Sequence, residues 1–162
     1  MQLRNDDTTA VLDGLRRIVR VLRESSREAE ANLGVSGAQL FALKALSEAP
    51  QLSLSQLAER TRTHQSSVSV VVKRLVRRRL VARKSSPLDG RQVELSLTPR
   101  GRAVLKRAPH AAQDRLILAV EAMPRAERKA LGRSLGRLSE AMGAADTAPQ
   151  MFFEEQEQRG GS

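Results

Sequence analysis

Leu80-Val81-Ala82-Arg83-Lys84, Ser85-Ser86-Pro87-Leu88-Asp89-Gly90-Arg91-Gln92 and Val93-Glu94-Leu95-Ser96-Leu97-Thr98-Pro99-Arg100-Gly101 form one continuous stretch on which the reading of the fold turns. Its outer parts alternate apolar and polar residues with period two, the signature of half-buried strands, and its middle is a Pro, Asp and Gly cluster. The pattern predicts a β-hairpin with a turn-forming tip. Directly after it, Thr98-Pro99 supplies an N-cap and a first-turn proline, so a helix begins where the second strand ends.

Upstream of the hairpin the period is helical. Val68, Val71, Val72, Leu75 and Val76 recur at spacings of three and four, and Thr63 can cap the helix they define. Val70-Val71-Val72 is strand-like in composition, but Lys73-Arg74-Leu75 continues the helical period and we read helix. Before it, Ser53-Leu54-Ser55-Gln56 has the capping-box form and starts a short helix through Arg60. Two helices joined by a four-residue turn make a helix-turn-helix. Ser36-Gly37-Ala38-Gln39 is a second capping box, opening a helix that carries Leu40, Phe41, Leu43 and Leu46 and stops before Pro50. The first helix spans Thr8 to about Ala31, with Val11, Leu12, Leu15, Ile18, Val19 and Leu22 on its apolar side and Gly34 at its end. Beyond the hairpin we expect one long helix from Pro99 to about Ala122, bent at Pro109. A last helix from near Pro124 carries Leu131, Leu135, Leu138 and Met142 on one stripe. The chain from Gly143 onward reads as disordered.

The fold class is therefore mainly α: a winged helix-turn-helix with a two-stranded β-wing between N- and C-terminal dimerisation helices. The expected parts are residues 1–34 and 101–145 for dimerisation, 35–100 for the winged region and 146–162 for a disordered tail. The terminal helices bring apolar stripes that a small winged domain cannot cover alone, and aromatic residues are only 2% of the chain.

Charge singles out the same central region. The chain carries +10, and residues 62–107 hold thirteen Lys or Arg against Asp89 and Glu94, a local +11. Such a one-sided block is self-repelling unless phosphates neutralise it. The absence of cysteine excludes a disulfide framework, a thiolate metal site and a thiol redox switch. Apolar runs as short as Val70-Val72 cannot cross a bilayer, and Met1 to Asp7 has no signal-like apolar segment, so we expect a cytoplasmic location and no membrane partner. His64 lies near Ser66 and Ser67, and His110 is the other histidine, but neither has the acid partner or the ligand cluster that catalysis or a metal requires. No enzyme activity and no cofactor are expected.

Leu57-Ala58-Glu59-Arg60, Ser66-Ser67-Val68-Ser69, Lys73-Arg74-Leu75, Leu80-Val81-Ala82-Arg83, Asp89-Gly90-Arg91 and Leu95-Ser96-Leu97-Thr98-Pro99-Arg100-Gly101 together resemble the MarR family over nearly the whole chain. The Asp-x-Arg wing tip followed at fixed distance by Leu-Thr-x-x-Gly is the most specific part. The resemblance implies a homodimer on palindromic double-stranded DNA, in a family where small, often phenolic or lipophilic, ligands release the DNA. It also implies that Asp89 pairs with Arg74 and orients the wing. The chain departs from the family pattern at Thr61, Arg62, Thr63, Val70 and Arg79. The last stands where glycine usually ends the recognition helix, so Arg79 must adopt a left-handed backbone or the helix must end differently.

A recognition helix in the major groove presents its N-terminal, non-core side, here His64, Gln65, Ser66, Ser67, Ser69, Val70 and Lys73. Gln65 suits adenine, Val70 a thymine methyl, and the serines either bases or phosphates. Arg91 at the wing tip suits a narrow minor groove, and Arg83 and Lys84 suit phosphates. Arg77 and Arg78 fit phosphate contact and simple solvation equally. Phe41, Leu12, Leu15 and Leu116 fit either a ligand pocket or plain core. The alternative function is a helical protein-interaction module built on a winged domain, against which Asp89-Gly90-Arg91 argues.

Overall fold

Ser36 and Ser53 each close the capping box expected of them. In the computed structural model, which describes residues 3–108, 111–147 and 149–154 with side chains from Asp6 onward, Ser36 Oγ accepts the Gln39 amide at 3.2 Å and Gln39 Oε1 accepts the Ser36 amide at 3.3 Å. The Ser53–Gln56 pair does the same at 3.2 and 2.8 Å. Each cap contributes about 1 kcal/mol by satisfying amides that the first turn leaves without partners. They open α2 (Gly37–Ser47) and α3 (Leu54–Arg60), while α1 (Leu3–Leu33) precedes them and runs longer at both ends than its apolar stripe indicates. Gly34, at φ +66°, ends α1, its amide donating to Glu30 O at 3.0 Å.

The core forms around α2. Leu40, Leu43 and Leu46 are buried there with Val68, Val71, Val72 and Leu75 from α4 (Gln65–Arg77) and Leu95 and Leu97 from the sheet. Each fully buried aliphatic side chain contributes about 1.5–3 kcal/mol, so this layer fixes how α4 sits. Strands β2 (Val81–Ser85) and β3 (Val93–Leu97) pair antiparallel with Val81 opposite Leu97 and Lys84 opposite Glu94. The expected two-stranded wing gains a third strand, β1 (Leu52–Ser53), which pairs Leu52 with Leu95 and gives the order β1-β3-β2. Two residues are too few to show alternation in a sequence.

Three expectations are corrected. The helix from Pro99 to Ala122 is two helices, α5 (Pro99–Lys106) and α6 (Ala112–Ala122). Pro109 has no amide to donate and disfavours helical backbone in the residue before it. Ser25 of α1 then receives the Ala112 amide at 3.3 Å, a cap supplied by a distant element. Pro109 and His110 themselves lie outside the described residues. Secondly, the N-cap of α4 is His64, without a side-chain cap bond, and not Thr63, whose hydroxyl donates to Thr61 O at 2.8 Å. Thirdly, the segment after α7 (Arg125–Ala141) is not all disordered. Residues 149–154 fold back on the winged region, and Met151 is buried in its core cluster; residues 155–162 lie outside the described residues.

Candidate nucleic-acid interface

The turn between α3 and α4 is held from inside. Thr61 is buried, and its hydroxyl donates to Leu57 O at 2.8 Å. Arg62 takes a left-handed φ of +52°, a feature its sequence does not announce. Thr63 N donates back to Ala58 O at 3.0 Å, which closes the turn just before α4 begins. Ser55 Oγ donates to Gln65 Oε1 at 3.3 Å and orients that amide.

Along α4 the buried residues Val68, Val71, Val72 and Leu75 form one stripe, and the opposite side carries the polar set. His64, Gln65, Ser66, Val70 and Lys73 are exposed and Ser69 is half-buried, so these expected contacts share one outward face. Ser67 is the exception: it is 6% exposed and donates to Pro149 O at 2.7 Å. It sits on the flank of the helix, not on that face. His64 makes no capping bond, and His64, Gln65 and Ser66 are exposed, so the first turn of α4 has no side-chain cap of its own, a setting that suits a phosphate.

The far end of α4 is locked. Leu80 N donates to Leu75 O and Arg79 N to Val76 O, both at 2.9 Å, the Schellman closure, with Arg79 at φ +59° where glycine is usual. The left-handed option for Arg79 is therefore the one taken. Arg78 turns inward and donates to Gln39 Oε1 at 2.7 Å, which ties the helix end to the start of α2, whereas Arg77 stays exposed. The Leu-Thr-x-x-Gly motif has a physical reason. Thr98 Oγ1 donates to Arg79 O at 2.8 Å and accepts the Gly101 amide at 3.0 Å, joining helix end, wing and α5 in one knot. A Cβ on Gly101 would stand 2.2 Å from Leu80 O, so only glycine fits.

At the wing tip Asp89 Oδ1 accepts the Arg91 amide at 3.0 Å, and Gln92 N donates to Asp89 O at 2.9 Å. This turn leaves Arg91 exposed, with Arg83 and Lys84 exposed on β2. The expected Asp89–Arg74 pair is not formed: none of the ion pairs among the described residues joins them. The Asp89 carboxylate is used within its own turn, and Arg74, half-buried on the same flank of α4 as Ser67, acts electrostatically on Glu154 instead. Lys73, Arg77, Arg83, Lys84 and Arg91 are likewise absent from those ion pairs. Helix and wing thus carry five cations without carboxylate partners among the described residues.

Behind the helix-turn-helix lies a cleft of about 750 Å³ between the α3–α4 turn, α6 and the C-terminal segment. Phe41, Leu116, Ile117 and Val120 line its apolar side, and Arg62, His64 and Arg128 its polar rim. Arg62 pairs with Glu121 at 2.9 Å, and Arg128 donates to Glu121 O at 3.0 Å, linking the turn to α6 and the start of α7. Of the four residues that fitted both pocket and core, Phe41 and Leu116 line this cleft. Leu12 is 43% exposed on α1 and Leu15 half-buried. Among the described residues there is no group of three or more His, Cys, Asp or Glu placed to hold a metal, and no helix is long and apolar enough to cross a membrane.

A helix-turn-helix whose second helix is exposed, uncapped and flanked by a cationic hairpin defines the winged-helix DNA-binding class. Comparison with known proteins gives the family. The MarR family profile matches residues 33–92. The transcriptional repressor Rv2887 of Mycobacterium tuberculosis is 33% identical over 125 residues, covering 75% of this chain and 90% of that protein. The structure of Bordetella bronchiseptica BpsR, whose DNA binding is regulated by 6-hydroxynicotinic acid, is 26% identical, covers 82% of this chain and 92% of that one, and superposes with a TM-score of 0.55. Streptomyces coelicolor Sco3205, solved in complex with DNA, shares the fold at 24% identity and a TM-score of 0.57, covering 88% and 95% of the two chains. The chain belongs to the MarR family, and it is a sequence-specific DNA-binding transcription regulator.

Proposed function

We propose that this protein is a cytoplasmic repressor that binds palindromic operator DNA as a homodimer and leaves it when a small molecule enters the cleft behind the helix-turn-helix. The observation that carries the reading is the set of unpaired cations on α4 and the wing beside the uncapped start of α4. His64, Gln65, Ser66, Ser69, Val70 and Lys73 read or approach the major groove, Arg91 enters the adjoining minor groove, and Arg83 and Lys84 hold phosphates. Repression is supported by the relatedness to Rv2887. Ligand control is supported by the cleft's apolar lining and polar rim, which suit a small lipophilic or phenolic molecule, and by the likeness to BpsR. The homodimer is supported by the apolar stripes of α1 and α7, where Leu131, Leu135 and Leu138 remain about two-fifths exposed. We assign dimerisation to residues 1–34 and 101–145 on this ground.

The test compares DNA from upstream of the protein's own coding sequence with scrambled DNA across a salt series, for the wild type and Arg91→Ala. The wild type should prefer its own upstream DNA. Arg91→Ala should weaken that binding by about tenfold and reduce the salt slope by about one. Equal affinity of the wild type for both DNAs sinks the repressor reading.

A further inference from the structure

The C-terminal segment occupies the flank of the recognition helix. Pro149 O accepts the Ser67 hydroxyl at 2.7 Å, and Phe152 O accepts Gln113 Nε2 at 3.1 Å. Met151, between them, is 4% exposed and belongs to the core cluster. Phe153 then takes a left-handed φ of +57°, and Glu154 N donates to Met151 O at 3.2 Å, so the chain turns back on itself. Glu154 ends within the electrostatic reach of Arg74, seven residues on from Ser67 and thus on the same side of α4. The segment runs along two turns of the helix.

We propose that Pro149–Glu154 is a built-in competitor of DNA, a strap that docks on the flank of α4 and must leave before the DNA-bound arrangement forms. This rests on the reading of α4 and the wing as the DNA face. Docked, the strap takes the Ser67 hydroxyl and brings an acid within the electrostatic reach of Arg74. Released, it removes that acid from the recognition helix, whose other side receives phosphates.

The contact is built to exchange. Its anchors are Met151 and two hydrogen bonds. Against them stand the left-handed backbone at Phe153, and Glu154 Oε2, which is buried with no hydrogen-bond partner among the described residues. Burial pushes the Glu154 carboxyl above its ordinary range, and Arg74 pulls it back in part. Pro149 to Phe152 also form one wall of the 750 Å³ cleft, so whatever fills the cleft touches the strap. DNA face and cleft thereby share one movable element.

Two readouts test this. The protein has no Trp and no Tyr, so Phe152→Trp reports on the strap alone. Acrylamide quenching of that residue should rise about twofold when a scrambled duplex is added at low salt, where the basic chain binds any DNA. Unchanged quenching with the duplex demonstrably bound overturns the proposal. In the second readout, a chain ending at residue 148 and Met151→Ser, which keeps every charge, should both bind upstream DNA about tenfold more tightly, as expected if the strap is closed about nine-tenths of the time. Tightening by truncation alone overturns docking in favour of a plain charge effect, and tightening by neither overturns the strap. Should the wild type fail to prefer its own upstream DNA, the repressor reading falls, while the quenching measurement with scrambled duplex still decides the strap.

Discussion

Arg79 shows how a single position can carry cost without losing function. Its φ of +59° is the conformation that closes α4 by the Schellman pattern, and its exposed side chain makes no hydrogen bond or ion pair among the described residues. An L-residue there bears a left-handed penalty of about 1–2 kcal/mol, partly offset because glycine loses more backbone entropy on folding. Arg79→Gly should therefore stabilise the fold by about 0.5–1 kcal/mol, read as a shift in urea midpoint at unchanged slope. A loss of stability would mean that the side chain makes a contact the geometry does not reveal. Its neighbour shows the opposite logic. Arg78 looks in the sequence like one more surface cation, yet it is bonded to Gln39, a residue 2% exposed. Nothing in a run of three arginines indicates which one turns inward.

At the scale of elements, legibility followed the range of the interactions. The starts of α2, α3 and α5 could be read because each is written in three or four neighbouring residues, Ser36–Gln39, Ser53–Gln56 and Thr98–Gly101. The hairpin and the outward face of α4 could be read for the same reason. The start of α6 could not, because its cap is Ser25, 87 residues away. Nor could the strap, whose anchor Met151 needs a groove made by other elements. Asp89 was placed against Arg74 by resemblance, but its carboxylate is taken by the wing's own turn. The uncapped start of α4 separates stability from function. His64→Asp adds a capping carboxylate and should stabilise the fold by about 0.5–1 kcal/mol. The same charge sits where a phosphate must approach, so DNA affinity should fall about fivefold or more. Calorimetry and a binding titration on one preparation check both signs. A variant gaining in both would show that no phosphate approaches the start of α4.

For the whole molecule, the question is what covers α1 and α7. Among the described residues α7 buries no side chain, and Leu131, Leu135, Leu138 and Met142 are 39, 42, 40 and 76% exposed at spacings of four, three and four. On α1, Val11, Leu12, Ile18 and Val19 are 58, 43, 45 and 40% exposed. A stripe of this length left in water forgoes about 1.5–3 kcal/mol for each large side chain that a partner would bury, enough for a few such residues to hold a dimer together. The winged region, by contrast, closes its own core and does not need the stripe. The two parts should separate on mutation: Leu135→Glu with Leu138→Glu should give a monomer by sedimentation with the winged domain's thermal transition retained. Loss of the second half-site contact should weaken binding to palindromic upstream DNA by about a hundredfold or more, while scrambled DNA, which the basic face alone attracts, loses far less. A double variant that remains dimeric would move the interface onto α1, and one that unfolds would mean that α7 supports the winged core after all.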